Sequence, residues 1–245
     1  MEGIKIHLYA LCWNEVKILP FFFRHYDPIV DQYFIFDNHS TDGSQQVLNE
    51  HARVTWETFE VQGNSFVEHA RNMYNQMWKS SRGQADWVIV CNIDELFWHS
   101  DLKAYLARCK ASNITVISSG GFEMWSDTFP VTDLSLNTQV IYGSPRTSLG
   151  KKEIFNPDKI EEINFSVGRH EVEPLGDVRL PEVSEIKLLH YKFLGLEYVL
   201  KRYDALRQGL RSHDIEQGWG EQYTQQEAET ISRYLDIKAT SIKIF

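Results

Sequence analysis

The sequence lacks long apolar runs and has no excess of basic residues. Its 25 Lys and Arg are outnumbered by 34 Asp and Glu, and the formal net charge is −9 at pH 7. The basic stripe that neutralises nucleic-acid phosphates is therefore missing, and we expect no nucleic-acid partner. The strongest apolar run, at residues 87–91, is only long enough for a strand, whereas a membrane-spanning helix needs about 20 apolar residues. The sequence thus predicts no transmembrane segment.

Cysteine is also scarce. The chain has 3 cysteines, at positions 12, 91 and 109, and no CxxC pair. An odd number of cysteines in apolar surroundings is typical of buried, reduced thiols. The N-terminus opens with Met1-Glu2-Gly3 and lacks the apolar segment of a secretory signal. These features predict a cytoplasmic protein, either free or peripheral at the inner face of a membrane.

Core material is present in ordinary measure, with 42% hydrophobic and 24% charged residues, as in globular proteins. In the first half of the chain, apolar strand patterns alternate with helical ones. Leu19, Phe22, Phe23 and Tyr26, for example, follow the i, i+3, i+4, i+7 spacing of a helix that buries one face. Such alternation predicts an α/β sandwich with a largely parallel sheet. We expect its strands at residues 4–11, 33–36, 54–61, 85–91 and 115–118.

After residue 120 the pattern becomes irregular, with glycine, proline and aspartate breaks. We expect short strands followed by C-terminal helices, the strands at 139–142, 178–180 and 186–189 and the helices at 196–210 and after 224. No linker is long enough to separate independent domains, so the prediction is one domain over residues 1–245. Its parts are an N-terminal half, a middle part and C-terminal helices, at 1–100, 101–193 and 194–245.

Polar residues follow three of the predicted strands at the points where they end. These residues are Cys12-Trp13-Asn14-Glu15, Asp37-Asn38-His39-Ser40 and Asn92-Ile93-Asp94-Glu95. Ligands of open parallel sheets bind at the carboxyl ends of the strands, so the sequence predicts a nucleotide or metal site there. For the second segment, the alternative is a turn that only caps the following helix.

The glycine-rich phosphate loops are absent from the sequence. Neither GxGxxG nor GxxxxGK[ST] follows the first strand, which argues against dinucleotide dehydrogenases and P-loop NTPases. Bound phosphates would then need another counter-charge. Oxygen ligands such as Asp94 and Asn92 favour Mg²⁺ or Mn²⁺, with substrate phosphates completing the coordination.

Four motifs together resemble the family-2-type glycosyltransferases of the GT-A fold. They are Cys12-Trp-Asn-Glu with Leu19-Pro20, Asp37-Asn-x-Ser-x-Asp-Gly-Ser44, Asn92-Ile-Asp-Glu-Leu96 and His190-Tyr191. The last two resemble the D-I-D-E-F-like metal motif and the late His-Tyr of one subgroup. The resemblance covers residues 4–100 well and residues 186–203 more loosely. It implies a GT-A-like three-layer α/β/α sandwich with a mostly parallel central sheet.

The same resemblance implies a reaction. A sugar would move from a UDP-linked donor to a saccharide or other hydroxyl acceptor, with inversion at the anomeric carbon and help from Mn²⁺ or Mg²⁺, as in polysaccharide biosynthesis. Residues 1–100 would bind the nucleotide sugar, and residues 101–193 would face the acceptor. Two alternatives stay open, a non-catalytic nucleotide-sugar-binding module and a sugar nucleotidyltransferase. The sequence does not predict which sugar, acceptor or linkage is involved.

Roles at individual positions follow from the resemblance residue by residue. Contacts to the nucleotide sugar would come from Cys12, Trp13, Asn14, Glu15, Asp37, Asn38, Ser40, Asp42, Arg71, Asn92 and Ile93. The metal ligands would be Asp94, His190 and Asn92. Asn92 departs from the family pattern, in which this position is acidic, and its uncharged amide predicts weaker or dispensable metal binding. The alternatives are a solvated arginine for Arg71 and a core histidine for His190.

An inverting transfer needs a base beside the acceptor hydroxyl. Glu123 and Asp127 lie in a stretch rich in aromatic residues, whose apolar walls can raise the pKa of a carboxylate. His170 is the third candidate. We expect Asp127 to be the base, ahead of Glu123 and His170. The neighbouring Trp125 and Phe129 would either pack in the core or stack on an acceptor sugar.

Overall fold

The computed structural model describes residues 3–245. Its strands are β1 (Ile6–Cys12), β2 (Gln32–Asp37), β3 (Val54–Thr58), β4 (Trp87–Asn92), β5 (Glu95–Trp98), β6 (Val116–Ile117), β7 (Ser119–Ser126), β8 (Tyr142–Pro145), β9 (Ile154–Phe155), β10 (Ile160–Glu162), β11 (Leu175–Gly176), β12 (Ile186–Leu194) and β13 (Ile242–Lys243). Its α-helices are α1 (Leu19–Tyr26), α2 (Ser44–Glu50), α3 (Phe66–Gln76), α4 (Leu102–Ala111), α5 (Leu136–Gln139), α6 (Leu196–Gly209), α7 (Ser212–Glu216), α8 (Glu221–Thr224) and α9 (Glu227–Thr240). Short 3-10 helices lie at Met77–Ser81, Thr147–Leu149 and Val167–Arg169.

The first sheet has the strand order β3-β2-β1-β4-β9-β6. Its first four strands are parallel, and β9 runs antiparallel to both of its neighbours. The register sets Cys12 opposite Asp37 and Leu11 opposite Asn92. Three strands therefore end together at one edge, which is the edge where the sequence predicts a ligand site.

Apolar side chains cover both faces of this sheet. On one face Leu8 packs in a core with Phe22 of α1 and Leu106 of α4. On the other face Tyr9 packs in a second core with Tyr74 of α3. Parallel strands buried on both faces send alternate side chains into two cores, with helices on either side. The predicted three-layer α/β/α sandwich with a mostly parallel central sheet is thus confirmed.

The amphipathic pattern of the first helix is also confirmed. Leu19, Phe22, Phe23 and Tyr26 are all buried, with exposures of at most 5%. The three cysteines are free and buried, as predicted. Within residues 3–245, no helix has both the length and the apolar character that crossing a membrane would require.

A second, mixed sheet has the order β13-β8-β7-β12-β5. In it, β12 pairs parallel to β7 and antiparallel to β5. Only two residues separate β4 from β5, so the turn between them joins the two sheets. Because β12 comes from the end of the middle region, this sheet carries residues far apart in sequence to the polar edge of the first sheet.

Several elements of the middle region differ from the prediction. Residues 139–142 are not a strand, because they run from the end of α5 to the start of β8, and residues 178–180 form no strand either. In the N-terminal half, β3 ends at Thr58 and is shorter than predicted. The strand β7 was not predicted, and it contains Gly120 and Gly121, which weaken an isolated strand. Its long pairing with β12 supplies the stability that its local sequence lacks.

A third core joins the C-terminal helices to the second sheet. Trp125 and Phe193 pack there with Tyr203 of α6 and Ile237 of α9. Trp125 is only 8% exposed, so its side chain has the core role that was one of the two alternatives. This packing holds α6 beside the ends of the parallel strands.

Candidate functional site

The loops after β1 and β2 are joined by hydrogen bonds. The backbone amide of Asn14 donates to Ser40 Oγ over 2.8 Å, and Asn14 Oδ1 accepts from the amide of Thr41 over 2.8 Å. The amide of Glu15 donates to Ser44 Oγ over 2.8 Å. Asn14 has a φ of 54°, a left-handed conformation that asparagine tolerates better than most residues. The two loops therefore form one connected rim at the edge of the sheet.

Two carboxylates are engaged inside this rim. Asp37 is fully buried and accepts from the amide of Ser40 over 2.8 Å, from its hydroxyl over 2.5 Å and from Gln45 Nε2 over 2.7 Å. Asp42 accepts from the amide and hydroxyl of Ser44 over 2.9 and 2.6 Å. These contacts stabilise the turn that precedes α2. A nucleotide contact by Asp37 stays a prediction.

The other residues predicted to contact the nucleotide differ in how far their side chains are exposed. Cys12 and Ile93 are buried in the core, each 1% exposed. The ring of Trp13 is partly exposed. Asn38 is also partly exposed, its backbone amide donates to the carbonyl of Cys12 over 2.8 Å, and its side chain makes no hydrogen bond within residues 3–245. The side-chain amide of Asn38 is therefore available to a ligand.

Arg202 of α6 ties the C-terminal helices to the rim. Its guanidinium donates to the carbonyls of Trp13 and Asn14 over 3.1 and 3.0 Å and forms an ion pair with Glu15. The two paired side chains are 15% and 10% exposed. Burial raises the pKa of Glu15, and the guanidinium of Arg202 opposes that rise. Glu15 thus anchors a helix at the rim, and its predicted nucleotide contact is a separate question.

Three side chains from separate segments converge beside the rim. His190 on β12 places Nε2 at 3.2 Å from Asp94 Oδ2 and Nδ1 at 3.2 Å from Glu123 Oε2. The pairing of β12 with β7 brings His190 and Glu123 together, because His190 lies opposite Glu123 in the register. The side chains of Asp94, His190 and Glu123 are 24%, 12% and 9% exposed. We refer to these three residues as the His190 group.

The electrostatics of the His190 group favour charged side chains. Burial lowers the pKa of His190, but the carboxylates of Glu123 and Asp94 outweigh it and raise this pKa well above its usual value. Burial raises the pKa values of Asp94 and Glu123, and His190 brings both below their usual range. The facing atoms, His190 Nδ1 and Glu123 Oε2, are buried and lack the geometry of a hydrogen bond to any group in the described chain.

The donor atoms of the His190 group can hold a divalent cation that takes few protein ligands, provided that His190 gives up its Nε2 proton, because a metal-binding imidazole must be neutral. Asp94 and His190 present an oxygen and a nitrogen 3.2 Å apart, and Glu123 lies behind the other ring nitrogen. Metal-binding histidines are commonly steadied by a carboxylate in this way. Among residues 3–245, no set of three His, Cys, Asp or Glu side chains is placed to hold a metal. The fit is therefore to a two-ligand site of the kind that substrate phosphates complete.

Asn92, the third predicted ligand, is engaged by neighbours. Its Oδ1 accepts from the hydroxyl of Tyr74 over 2.7 Å and from Arg169 Nη1 over 3.2 Å. Its backbone amide donates to Glu95 Oε2 over 2.9 Å. Two donors already use the two lone pairs of the amide oxygen. The contacts of Asn92 are thus those of a residue that holds the strand end in place.

A buried ion cluster lies under this strand end. Glu95, Lys151, Glu153 and Arg169 form it, and each of these side chains is at most 4% exposed. Glu95 pairs with Lys151 and, over 2.7 Å, with Arg169, while Arg169 also pairs with Glu153. Burial raises the pKa of Glu95, but Lys151 and Arg169 bring it well below its usual range. The cluster fixes the turn that carries Asp94 to the middle region.

Three other predicted site residues lie outside the His190 group. Arg71 lines a separate surface cavity together with Asn164 and Glu171. The Asp127 carboxylate is 72% exposed and lies 3.0 Å from Lys238 Nζ. His170 is exposed, with Nδ1 at 2.8 Å from the carbonyl of Ser148. None of the three contacts Asp94, so their roles at the site stay predictions.

Comparisons with known proteins give structural likeness only. No family model and no curated protein matches the chain. Among solved structures, S. aureus TarS 1–349 in complex with UDP is 9% identical, with a TM-score of 0.44, over 82% of this chain and 64% of that one. A longer TarS structure is 9% identical, with a TM-score of 0.44, over 95% and 43%. TarS 1–349 in complex with UDP-GlcNAc is 10% identical, with a TM-score of 0.40, over 82% and 65%. The chain thus spans less than two thirds of the length of these proteins.

Sequence reasoning missed the cations that surround the site. Arg202 could have been found, because it lies on a predicted helix among leucine and tyrosine residues, and Glu15 at the end of the first strand needs a cationic partner. Arg169 and Lys151 had none, since they lie in an irregular stretch and only the folded chain brings them to Glu95. Lys192 followed the His190-Tyr191 motif directly, yet nothing in the pattern set it apart.

Proposed function

We propose that this protein is a glycosyltransferase, which moves a sugar from a nucleoside-diphosphate sugar to a hydroxyl group of a saccharide or other acceptor. The observation that carries the proposal is the convergence of Asp94, His190 and Glu123 at the polar edge of a parallel sheet. Ligands of such sheets bind at this edge. Two carboxylates and an imidazole that are mostly buried and close together are typical of functional sites.

The nucleotide, taken as UDP, would bind along the rim formed by the loops after β1 and β2. The free side-chain amide of Asn38 and the partly exposed ring of Trp13 are the groups there that can contact a base or ribose. Asn14, Ser40 and Asp42 keep the rim in shape. The proposal retains the setting that the sequence predicts, a cytoplasmic enzyme of polysaccharide biosynthesis, free or at the inner face of a membrane.

The divalent cation of this proposal, Mn²⁺ or Mg²⁺, is held by Asp94 and His190. When bound, it neutralises charge on the leaving diphosphate. Glu123 steadies the imidazole through Nδ1, which leaves Nε2 facing Asp94. Asn92 has a supporting role here, because Tyr74 and Arg169 already occupy its amide oxygen.

In the proposed step, the acceptor oxygen bonds to the anomeric carbon while the bond from that carbon to the diphosphate oxygen breaks, which inverts the configuration. The bonding electron pair leaves with the nucleoside diphosphate, and the hydroxyl proton passes to a base. We assign the base to Glu123, ahead of Asp127 and His170, because it is the one candidate of the three that contacts His190 among the described residues. Its Oε2, which faces His190, has no partner with hydrogen-bond geometry in the part of the chain described, and His190 keeps the carboxylate ionised.

The proposal is tested by thermal shift with a panel of nucleotide sugars, with and without MnCl₂, followed by measurement of free nucleoside diphosphate. A donor at about 100 times its Kd stabilises the fold by about 2.7 kcal/mol. We expect a shift with at least one sugar nucleotide, and release of its nucleoside diphosphate. A shift without release would indicate a binding module, and pyrophosphate formation from a sugar phosphate and a nucleoside triphosphate would indicate a nucleotidyltransferase. No shift with any donor would contradict the proposal.

A further inference from the structure

Lys192 lies two residues after His190 on β12 and points between two tyrosines of the C-terminal helices. Its Nζ donates to the Tyr223 hydroxyl over 3.0 Å. The same atom lies 4.7 Å from the ring centre of Tyr223 and 5.2 Å from that of Tyr203. Two aromatic rings therefore flank one ammonium group, at distances typical of cation–π contacts.

This ammonium group forms no ion pair within hydrogen-bonding distance in the described part of the chain. Lys151, by comparison, is paired with both Glu95 and Glu153 in the buried ion cluster. Lys192 forms no ion pair with any carboxylate of residues 3–245, and two of its three N–H donors lack a protein acceptor. The nearby hydroxyl of Tyr203 is buried and has no hydrogen-bond partner either. A partly buried cation with spare donors is costly unless an anion completes the site.

The location of Lys192 relates it to the His190 group. His190 and Lys192 lie on the same strand, β12, with one residue between them, so Lys192 lies beside the His190 group. The tyrosines come from α6 and α8, and Arg202 ties α6 to the nucleotide-side rim. An anion bound by Lys192 would thus lie between the rim and the C-terminal helices.

We propose that Lys192, Tyr203 and Tyr223 form an anion site that holds the diphosphate of the nucleotide donor. The inference rests on the proposed function, and it adds a protein cation to the charge that the divalent ion supplies. Lys192 donates to a phosphate oxygen, and the hydroxyls of Tyr203 and Tyr223 donate to the same anion. The C-terminal helices thereby complete the site instead of only covering it.

The test is calorimetric titration of the full chain with UDP and with uridine, in MnCl₂. UDP and uridine differ only in the diphosphate, so their comparison isolates the proposed contact. We expect Lys192→Met to weaken UDP binding by about tenfold or more, as for a lost hydrogen bond to a charged group, and to leave uridine binding unchanged. Lys192→Arg should keep most of the UDP affinity. Tyr223→Phe, which removes one hydroxyl and keeps the ring, should weaken UDP binding in the same direction.

Lys187→Met is the matched control. Lys187 lies on the same strand, with Nζ 4.9 Å from the ring centre of Trp98 and 3.2 Å from the carbonyl of Ile244, and its loss should leave both affinities unchanged. Wild-type UDP affinity in Lys192→Met, or equal weakening of UDP and uridine, would overturn the anion site. If Lys192→Met does not fold, unchanged UDP affinity in Tyr223→Phe overturns it. Failure of the proposed function looks different, because the wild-type chain would then bind neither ligand, or would bind UDP without releasing it from any UDP-sugar.

Discussion

At the residue scale, Glu123 and Asp127 are the two rival candidates for the general base. The sequence favours Asp127, but its carboxylate is 72% exposed and pairs with Lys238, whereas Glu123 faces His190 at 3.2 Å. We expect Glu123→Gln to lower turnover by about 10²–10⁴-fold, as for loss of a general base, with donor binding nearly unchanged. Asp127→Asn should transfer at close to the wild-type rate. Steady-state kinetics with calorimetry on both variants checks this.

The reverse result would return the role to Asp127. If both variants keep wild-type turnover, His170→Gln becomes the next variant. Should all three remain active, either the base lies elsewhere or the inverting mechanism does not apply to this protein.

The buried ion cluster makes a prediction about stability. Glu95 contacts Lys151 and Arg169 where no water can replace it, so Glu95→Gln leaves two buried cations short of a counter-charge. Breaking a buried pair typically costs about 3–5 kcal/mol. We expect a loss of that size in the free energy of unfolding, measured in urea. The control, Glu162→Gln, removes a partly exposed pair with Lys79 and should cost about 1 kcal/mol or less. Equal losses in the two variants would contradict the account of the cluster.

At the scale of elements, the turn after β2 separates a structural role from a binding role. Asp37 is fully buried and accepts hydrogen bonds from Ser40 and Gln45 within its own turn. Asp37→Ala leaves those donors unpaired, and we expect a loss of about 1–3 kcal/mol of stability with unchanged affinity for UDP. Urea unfolding and calorimetry on the same variant measure the two quantities. Weaker UDP binding with unchanged stability would instead support the nucleotide contact that the sequence suggests.

The elements themselves show what a single sequence can predict. The parallel strands are buried on both faces, and α1 is buried along one stripe. Their apolar patterns are therefore strong, and the sequence predicts where these elements lie. The polar strand ends were visible for the same reason, since they interrupt buried strands. The strand β7 was missed because its glycines disfavour an isolated strand, and its pairing with β12 is decided by tertiary contact.

The candidate site was predictable to a similar extent. Asp94 and His190 were foreseen together through a motif resemblance, and the structure sets them 3.2 Å apart. The cations Arg169, Arg202 and Lys192 were not foreseen, because a charge becomes informative only when its partner is known. Those partners lie 74 positions away for Arg169 and Glu95, and 187 for Arg202 and Glu15.

At the scale of the whole molecule, His25 links α1 to the second sheet and makes stability depend on pH. Its Nε2 donates to the carbonyl of Phe97 on β5 over 2.9 Å. Burial lowers the pKa of His25 from 6.5 to about 4. Between pH 6.5 and about 4, His25 is protonated in the unfolded chain but stays neutral in the folded chain. The free energy of unfolding therefore falls as the pH drops from 6.5 towards 4. We expect melting temperatures to follow this fall.

His25→Gln keeps a donor for Phe97 and should flatten the pH dependence of the melting temperature in that window. His213→Gln, at a partly exposed position, serves as the control and should leave the slope unchanged. An unaltered slope in His25→Gln would show that other groups cause the acid sensitivity.

The whole molecule also explains why the site needs both halves of the chain. The rim and Asp94 come from the first 100 residues, whereas Glu123, His190 and Lys192 arrive on strands of the second sheet, and α6 closes the edge through Arg202. A donor bound at the rim would therefore touch three separate segments. The proposed function therefore requires that sugar transfer takes place at this edge.

That claim is tested most directly by the release of UDP from UDP-sugars in MnCl₂, compared between the wild-type chain and Asp94→Ala. Asp94 lies in the turn between β4 and β5 with its side chain 24% exposed, so the variant should fold, and its melting temperature confirms this before release is compared. The account predicts that the wild-type protein releases UDP from at least one UDP-sugar, and that Asp94→Ala reduces this release to background. Equal release by a folded Asp94→Ala variant, or none by the wild-type protein with any donor, would contradict it.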